Sequence, residues 1–270
     1  MNFKIMLQSI EPKPCIPINY QYPLSAALYR VIAKGDARYA AFLHETGYGK
    51  GFKFFTFSQI DCPFNINREE KYMKLQGNEL SFSISFHLPL AMESFIKGLF
   101  QSERIDIADK KSRASFMVKS VERLPDPLQT RKENEIVSVI LKPNSMIVAG
   151  IPAENGKYEY LSPDDQRFTE SLIYNWRSKI ATCYDENTAQ SAILLLEILP
   201  IKLAFKPRLI TIKAGTPNES QVRGWLNFEL KVTAEKRFVE LLLNAGAGLY
   251  NAMGCGSGEV KLLKNSINNI

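Results

Sequence analysis

The hydrophobic period of this chain switches between two and 3.6 in a fixed order, and that order restricts the fold more than any single motif. "NFKIMLQSI" (2–10) reads as a strand. "PLSAALYRVIAK" (23–34) then sets Leu24, Leu28, Val31 and Ile32 on one helical face, with Pro23 and Ser25 at its start. "GDARYAAFLHE" (35–45) predicts a second short helix, capped by Asp36 and stopped near Gly47. "GFKFFTFSQI" (51–60) is aromatic and β-rich. "ELSFSISFH" (79–87) alternates, with Phe82, Ile84 and Phe86 on one face and Ser83, Ser85 and His87 on the other. "PLAMESFIKGLFQS" (89–102) returns to helical spacing, and "ASFMVKSVERL" (114–124) is a strand again. The order β–α–β–β–α–β is the ferredoxin-like pattern.

"PDPLQTRKEN" (125–134) reads as a linker, and the same order follows it. "EIVSVILKPNSMIVAG" (135–150) gives a strand and its return. "SPDDQRFTESLIYNWRSKIATC" (162–183) gives a long helix with Ser162 as cap and acids in its first turn. "RLITIKAG" and "VRGWLNFELKVTA" predict a hairpin, with Trp225 and Phe228 in the core. "AEKRFVELLLNAG" is a helix and "GEVKLLK" a closing strand. The expected fold class is α+β, as two tandem ferredoxin-like (βαββαβ) domains at 1–124 and 135–270, without visible identity between the halves.

Composition limits the function classes. With 45% hydrophobic and 11% aromatic residues the chain can build real cores. The net charge is +6, unevenly placed: Lys+Arg against Asp+Glu is 19 to 13 over residues 1–132, 5 to 10 over 133–200, and 10 to 5 over 201–270. Basic ends around an acidic middle suit a polyanion. Cys15, Cys62, Cys183 and Cys255 form no CxxC pair, and there are two histidines, so neither a zinc site nor a disulfide framework is expected. No metal and no cofactor is expected. The opening "MNFKIMLQSIEPKPC" lacks the apolar run of a signal peptide, and Glu197, Pro200 and Lys202 interrupt "AILLLEILPIKLAF". A cytoplasmic, membrane-free protein is the expectation.

"NAGAGLYNAMGCGSGEV" (244–260) holds five of the fifteen glycines: Gly246, Gly248, Gly254, Gly256 and Gly258. Dinucleotide and Walker loops run strand, glycines, helix, so that phosphate meets a helix N-terminus. Here the order is helix, glycines, strand, and no GK[ST] follows. That disfavours a nucleotide-binding enzyme. Two readings stay open: a helix C-cap with a structural turn, or a backbone nest for phosphates. On the nest reading, Ala at Gly248 or Gly254 weakens ligand binding and leaves thermal stability nearly intact; on the turn reading, the same changes lower the melting temperature and leave binding normal.

A glycine-rich segment joining the last helix to the last strand, after two ferredoxin-like patterns, resembles the RAMP superfamily of CRISPR-associated RNA-binding proteins. Within it the chain is similar to the endoribonucleases that cut precursor CRISPR RNA. "Gly246-Ala-Gly248" and "Met253-Gly254-Cys255-Gly256" carry the likeness, with Cys255 where an aromatic often sits. "NYQYPLSAALYRVI" and "FLHETGYGKGFKFFTFSQI" carry it in the first half.

The resemblance implies a site of Tyr29, His44 and Lys50, which share the family's order and spacing. RNA supplies its own nucleophile, the 2′-OH. A metal-free nuclease must move protons, align the attack and stabilise the phosphorane. His44 would transfer protons, Lys50 would stabilise charge, with Lys53 able to take its place, and Tyr29 would orient the 2′-OH. His87 is the rival histidine, read otherwise as a surface residue. Lys206, Arg208, Lys213 and Arg223 on the hairpin, with Gly246, Gly248, Gly254 and Gly256, would contact RNA. The expected partner is CRISPR repeat RNA, as precursor and mature CRISPR RNA, with a CRISPR effector complex as a further one and a monomer or homodimer as the state. Two alternatives remain: a non-catalytic RNA-binding subunit, and a mononucleotide-binding enzyme.

Overall fold

In the first half the elements run β1 (Asn2–Ser9), β2 (Cys15–Pro17), α1 (Gln21–Gly35), α2 (Ala37–Glu45), β3 (Phe55–Phe57), β4 (Phe64–Asn67), β5 (Tyr72–Leu75), β6 (Glu79–Phe86), α3 (Pro89–Phe100), β7 (Ile105–Ala108) and β8 (Arg113–Arg123). The computed structural model describes every residue except 68, 70, 71, 103, 155–157, 200–203, 215 and 263–270. β1 buries Phe3, Ile5 and Leu7 on alternate positions, opposite Ile84, Phe82 and Leu80 of β6. The sheet order is β3-β6-β1-β8-β7, which is the ferredoxin-like order with β7 added at one edge. A small β2-β5-β4 sheet, not read from the sequence, lies beside it.

Helices α1 and α3 cover one face. They touch backbone to backbone, because a Cβ on Gly35 would overlap Ser94 O and one on Gly98 would overlap Val31 O. Phe55, Phe57, Phe86, Phe95 and Phe116 are fully buried in this core. Each contributes about 1.5–3 kcal/mol relative to exposure.

The second half runs β9 (Ile136–Pro143), β10 (Ala149–Pro152), β11 (Tyr158–Leu161), α4 (Arg167–Cys183), α5 (Glu186–Ser191), β12 (Leu195–Leu199), β13 (Pro207–Ile212), β14 (Ser220–Trp225), β15 (Glu229–Glu235), α6 (Lys236–Ala245) and β16 (Gly258–Leu262). Its main sheet is ordered β12-β15-β9-β16, again the ferredoxin-like order. β13 and β14 pair as a hairpin, but the expected second arm divides. Ser220–Trp225 stays in the hairpin, while Glu229–Glu235 crosses into the main sheet between β12 and β9. β10 pairs with β11 rather than returning along β9. Trp225 and Phe228 are buried as expected. Leu263 and Lys264, expected in the last strand, lie outside the described residues.

Two local expectations change. Ser162 does not cap α4: the helix starts at Arg167 after a turn, where Asp165 Oδ1 accepts from Arg167 N at 2.9 Å. The acid in the first helical turn is Glu170. The serine face of β6 is also covered, with Ser81 and Ser85 buried, because α6 lies across β3 and β6. The two halves are stapled there. Met1's amino group donates to Asn244 Oδ1 at 2.9 Å, and Thr56 Oγ1 donates to Cys255 O at 2.8 Å. His87 is therefore half-buried, not a surface residue. Burial and the positive Met1 amino group lower its pKa to about 4, so it is neutral at pH 7.

Candidate active site and RNA-facing cleft

α2 begins where Asp36's side chain accepts from Tyr39 N at 2.9 Å, and His44 stands exposed in its last turn. Tyr29, on α1, meets the His44 ring edge-on, with centroids 5.6 Å apart and planes at 89°. Phe55 backs Tyr29 from the other side at 5.7 Å. Burial pushes the Tyr29 hydroxyl up to about 12, so it keeps its proton at neutral pH and can donate.

After α2 the chain turns tightly. Gly47, Gly49 and Gly51 all have positive φ, and Tyr48 N donates to Phe52 O at 2.8 Å. This turn places the two candidate lysines differently. Lys53 Nζ donates to His44 O at 3.4 Å, and burial lowers its pKa below the ordinary lysine value. Lys50 points to the second half instead, where its Nζ reaches Tyr174 Oη at 3.0 Å and Ser178 Oγ at 3.3 Å on α4. The structure thus gathers Tyr29, His44 and Lys53 at one helix end, with Lys50 bridging to α4. Phe54, next to Lys53, is buried in the core of the second half, which fixes this end at the junction.

The glycine loop is a folded object. Gly246, Gly248, Gly254 and Gly256 are buried, with φ of 89°, 72°, 77° and 82°. A Cβ on Gly248 would overlap Val148 O, and one on Gly254 would overlap the Phe57 ring. The side chains of Thr56 and Ser25 bond the carbonyls of Cys255 and Ala252 at 2.8 and 2.7 Å, so the loop ties α1 and β3 to the second half. Loss of stability is therefore expected on Gly248→Ala or Gly254→Ala, the outcome of the structural-turn reading and the reverse of the nest reading.

Lys179 of α4, which the sequence reading passed over, holds this loop from inside. It is 1% exposed and donates to Gly246 O at 2.6 Å, Asn251 Oδ1 at 2.7 Å and Gly248 O at 3.3 Å. Burial lowers its pKa to about 7. Its signal was legible: Phe168, Leu172, Asn175, Trp176 and Lys179 form one buried helical stripe containing two polar residues.

The four basic residues of the hairpin region are exposed but scattered. Arg208 pairs with Gly224 and Arg223 with Leu209, which sets the two arginines on opposite faces of the ribbon. Lys206 precedes the hairpin, its N–H donating to Asn227 Oδ1. Lys213 lines a cleft of about 870 Å³ between the hairpin and the first half, together with Lys110, Lys111, Asn19 and Tyr22. Asp109 and Glu219 also line it. Lys110 and Lys111 sit in the β7–β8 turn, whose "DKKSR" charge cluster was their signal. Among the described residues no three His, Cys, Asp or Glu side chains gather as a metal site. Among the described residues no helix is long and apolar enough to cross a membrane.

Comparison with known proteins agrees with this architecture. Residues 15–122 match the family described as CRISPR-associated protein Cas6, N-terminal, and residues 126–260 the family described as CRISPR associated protein Cas6, C-terminal. A CRISPR-associated endoribonuclease Cas6 of Methanocaldococcus jannaschii is 28% identical over 242 residues, covering 89% of this chain and 85% of the relative. A solved CRISPR associated protein Cas6 is 25% identical with a TM-score of 0.70, covering 98% of this chain and 99% of that one. A solved RAMP protein, described as binding different RNA substrates, shares the fold at 18% identity and a TM-score of 0.72, covering 98% of this chain and 100% of that one. With its two halves matched in sequence order, the chain belongs to the CRISPR-associated Cas6 family.

Proposed function

We propose that this chain is an endoribonuclease that binds CRISPR repeat RNA and cuts precursor CRISPR RNA within each repeat, without a metal ion. The observation that carries this reading is the meeting of Tyr29, His44 and Lys53 at the end of α2, at the junction of the two halves. The named endoribonuclease activity of the Methanocaldococcus relative supports it.

The chemistry balances with these groups. A base removes the 2′-OH proton, the 2′-oxygen bonds to phosphorus, the bond to the 5′-oxygen breaks, and an acid protonates that oxygen. The products are a 2′,3′-cyclic phosphate and a 5′-hydroxyl. His44's exposed imidazole suits either proton transfer. The Lys53 ammonium, held at the same helix end, is the nearer charge for the phosphorane. Lys50 extends the positive rim toward α4. Tyr29, protonated and fixed by two ring contacts, orients the 2′-OH.

Residues 1–124 then carry the reaction and 135–270 position the RNA. Lys110, Lys111 and Lys213 give the cleft between them a positive lining for the phosphate backbone, while Lys206, Arg208 and Arg223, at the other end of the hairpin and on both its faces, meet RNA outside the cleft. Gly246, Gly248, Gly254 and Gly256 serve by letting the loop fold between the halves. Of the loop amides, those of Ala247, Leu249, Met253, Gly254 and Gly256 donate to protein carbonyls. Tyr250, Asn251 and Ala252, half-buried at the loop surface, are the ones whose amides would meet phosphate.

The test is incubation with labelled repeat RNA in EDTA. A single cut leaving a cyclic phosphate, blocked by a 2′-deoxy nucleotide immediately 5′ of the cut, is the expected result. Cutting that vanishes with chelator and returns with magnesium contradicts the chemistry. Tight binding without cutting makes the chain a non-catalytic RNA-binding subunit.

A further inference from the structure

A second cavity, of about 510 Å³, lies on the α4 side of the Gly47–Phe52 turn, against β10 and β11. Its walls are largely apolar, from Phe52, Ile151 and Leu249, and Tyr158 and Tyr174 stand at its mouth. That volume accepts one nucleotide, and apolar walls with a few aimed polar groups are what a small planar ligand requires.

The polar groups around it are nearly all committed. Ser171 Oγ bonds both the N–H and the carbonyl of Gly150, at 3.1 and 3.0 Å. Arg167 is tied to Glu159 at 2.8 Å and Asp165 at 2.7 Å. Lys50 is shared between Tyr174 and Ser178. Asn175 is different. It lines the cavity, is 9% exposed, and among the described residues its side chain makes no hydrogen bond, with Oδ1 buried and unpartnered. A buried amide left without partners costs about 1–3 kcal/mol. Such a cost persists where a ligand removes it.

We propose that this cavity is a base-reading subsite for one unstacked nucleotide of the RNA, with the Asn175 amide paired to an adenine. Carrying a donor and an acceptor side by side, the amide matches adenine's 6-amino group and neighbouring ring nitrogen once a turn about its χ2 brings the sealed, unpartnered Oδ1 to the cavity. Tyr174, 66% exposed at the mouth, supplies a stacking face, as aromatic side chains do for unpaired bases. Lys50 at the rim meets the attached phosphate, and Glu170 on the same rim keeps the phosphates to the Lys50 side. This inference rests on the RNA-binding reading above but not on cleavage.

The test compares affinities of the full chain, by fluorescence anisotropy, for fluorescein-labelled single-stranded RNA octamers of adenosine, of uridine, and of purine riboside, which lacks the 6-amino group. The adenosine octamer is expected to bind about 5- to 100-fold more tightly than the purine-riboside octamer. Asn175→Leu is expected to remove that difference and to leave uridine binding within about twofold. Equal affinity of the wild-type chain for the adenosine and purine-riboside octamers overturns the proposal, and this arm needs no variant to fold. A difference that persists in Asn175→Leu also overturns it. Failure to bind any octamer or repeat RNA instead brings down the RNA-binding reading itself.

Discussion

The ammonium of Lys179 is enclosed by protein and lies 2.6 Å from the carbonyl oxygen of Gly246, so a buried charge on α4 closes the C-terminal end of α6. Gly248 O and Asn251 Oδ1 complete its shell. Since the same loop grips Ser25 and Thr56, this single side chain is coupled to the placement of α1 and β3, and through them to Tyr29.

Removing that side chain strands three buried acceptors. Lys179→Met is expected to lower stability by about 1–3 kcal/mol, a drop of several degrees in Tm. Thermal melts at pH 7 measure it. An unchanged Tm shows that the acceptors find other donors.

The same lysine makes stability depend on pH with a definite sign. Its folded pKa, about 7, lies below the ordinary lysine value of 10.5, so between these the unfolded chain holds the proton that the folded chain has lost. Stability must then rise with pH across that window. The advantage of wild type over Lys179→Met is expected to grow from pH 7 to pH 9. Parallel melts at several pH values would show a flat difference if Lys179 titrates normally.

The loop glycines are expected to answer as structural residues. Gly248→Ala and Gly254→Ala each place a methyl into Val148 O or the Phe57 ring, at backbone angles that alanine resists. A Tm lowered by several degrees is expected for each, with the surviving folded protein binding repeat RNA within about threefold of wild type, a change worth less than 1 kcal/mol. Normal Tm with lost RNA affinity restores the open-nest reading.

The lysines separate by partner. Lys53→Ala removes the ammonium beside His44 and is expected to slow single-turnover cleavage by about 10²-fold, the scale of one electrostatic group. Lys50→Ala, whose partners are hydroxyls on α4, is expected to cost less than Lys53→Ala in rate and more in RNA affinity. Reversed effects would put Lys50 at the phosphorane.

The first βαββαβ order was legible because its strands and helices carry their own hydrophobic periods, and Asp36 caps α2 as its side chain predicts. In the second half β12, which pairs with β15 in the main sheet, lies in an apolar run whose period does not mark it as a strand, so the hairpin strand β13 stood in its place. What one segment's pattern does not carry is its partner. The serines of β6 read as a wet face, yet α6, over 150 residues later in the chain, covers them. His87 was misplaced for the same reason. Five glycines are compatible with an open cradle or a packed turn, and the atoms that fill the space around them come from Val148, Phe57 and Asn251, distant or locally invisible in a linear reading. Ser162 has the chemistry of a cap, but a turn intervenes before α4 begins. Asn175 and Lys179 could have been found, as polar residues on an otherwise apolar helical stripe.

The most direct measurement is the single-turnover cleavage rate of labelled repeat RNA by wild type and His44→Ala, with affinity measured on the same preparations. A loss of about 10²–10⁴ in rate at nearly unchanged affinity is the predicted result, the span of a general acid–base group. His87→Ala, neutral and half-buried in the native chain, is expected to cut at close to the wild-type rate. A His44→Ala chain that binds and cuts as well as wild type would contradict the account.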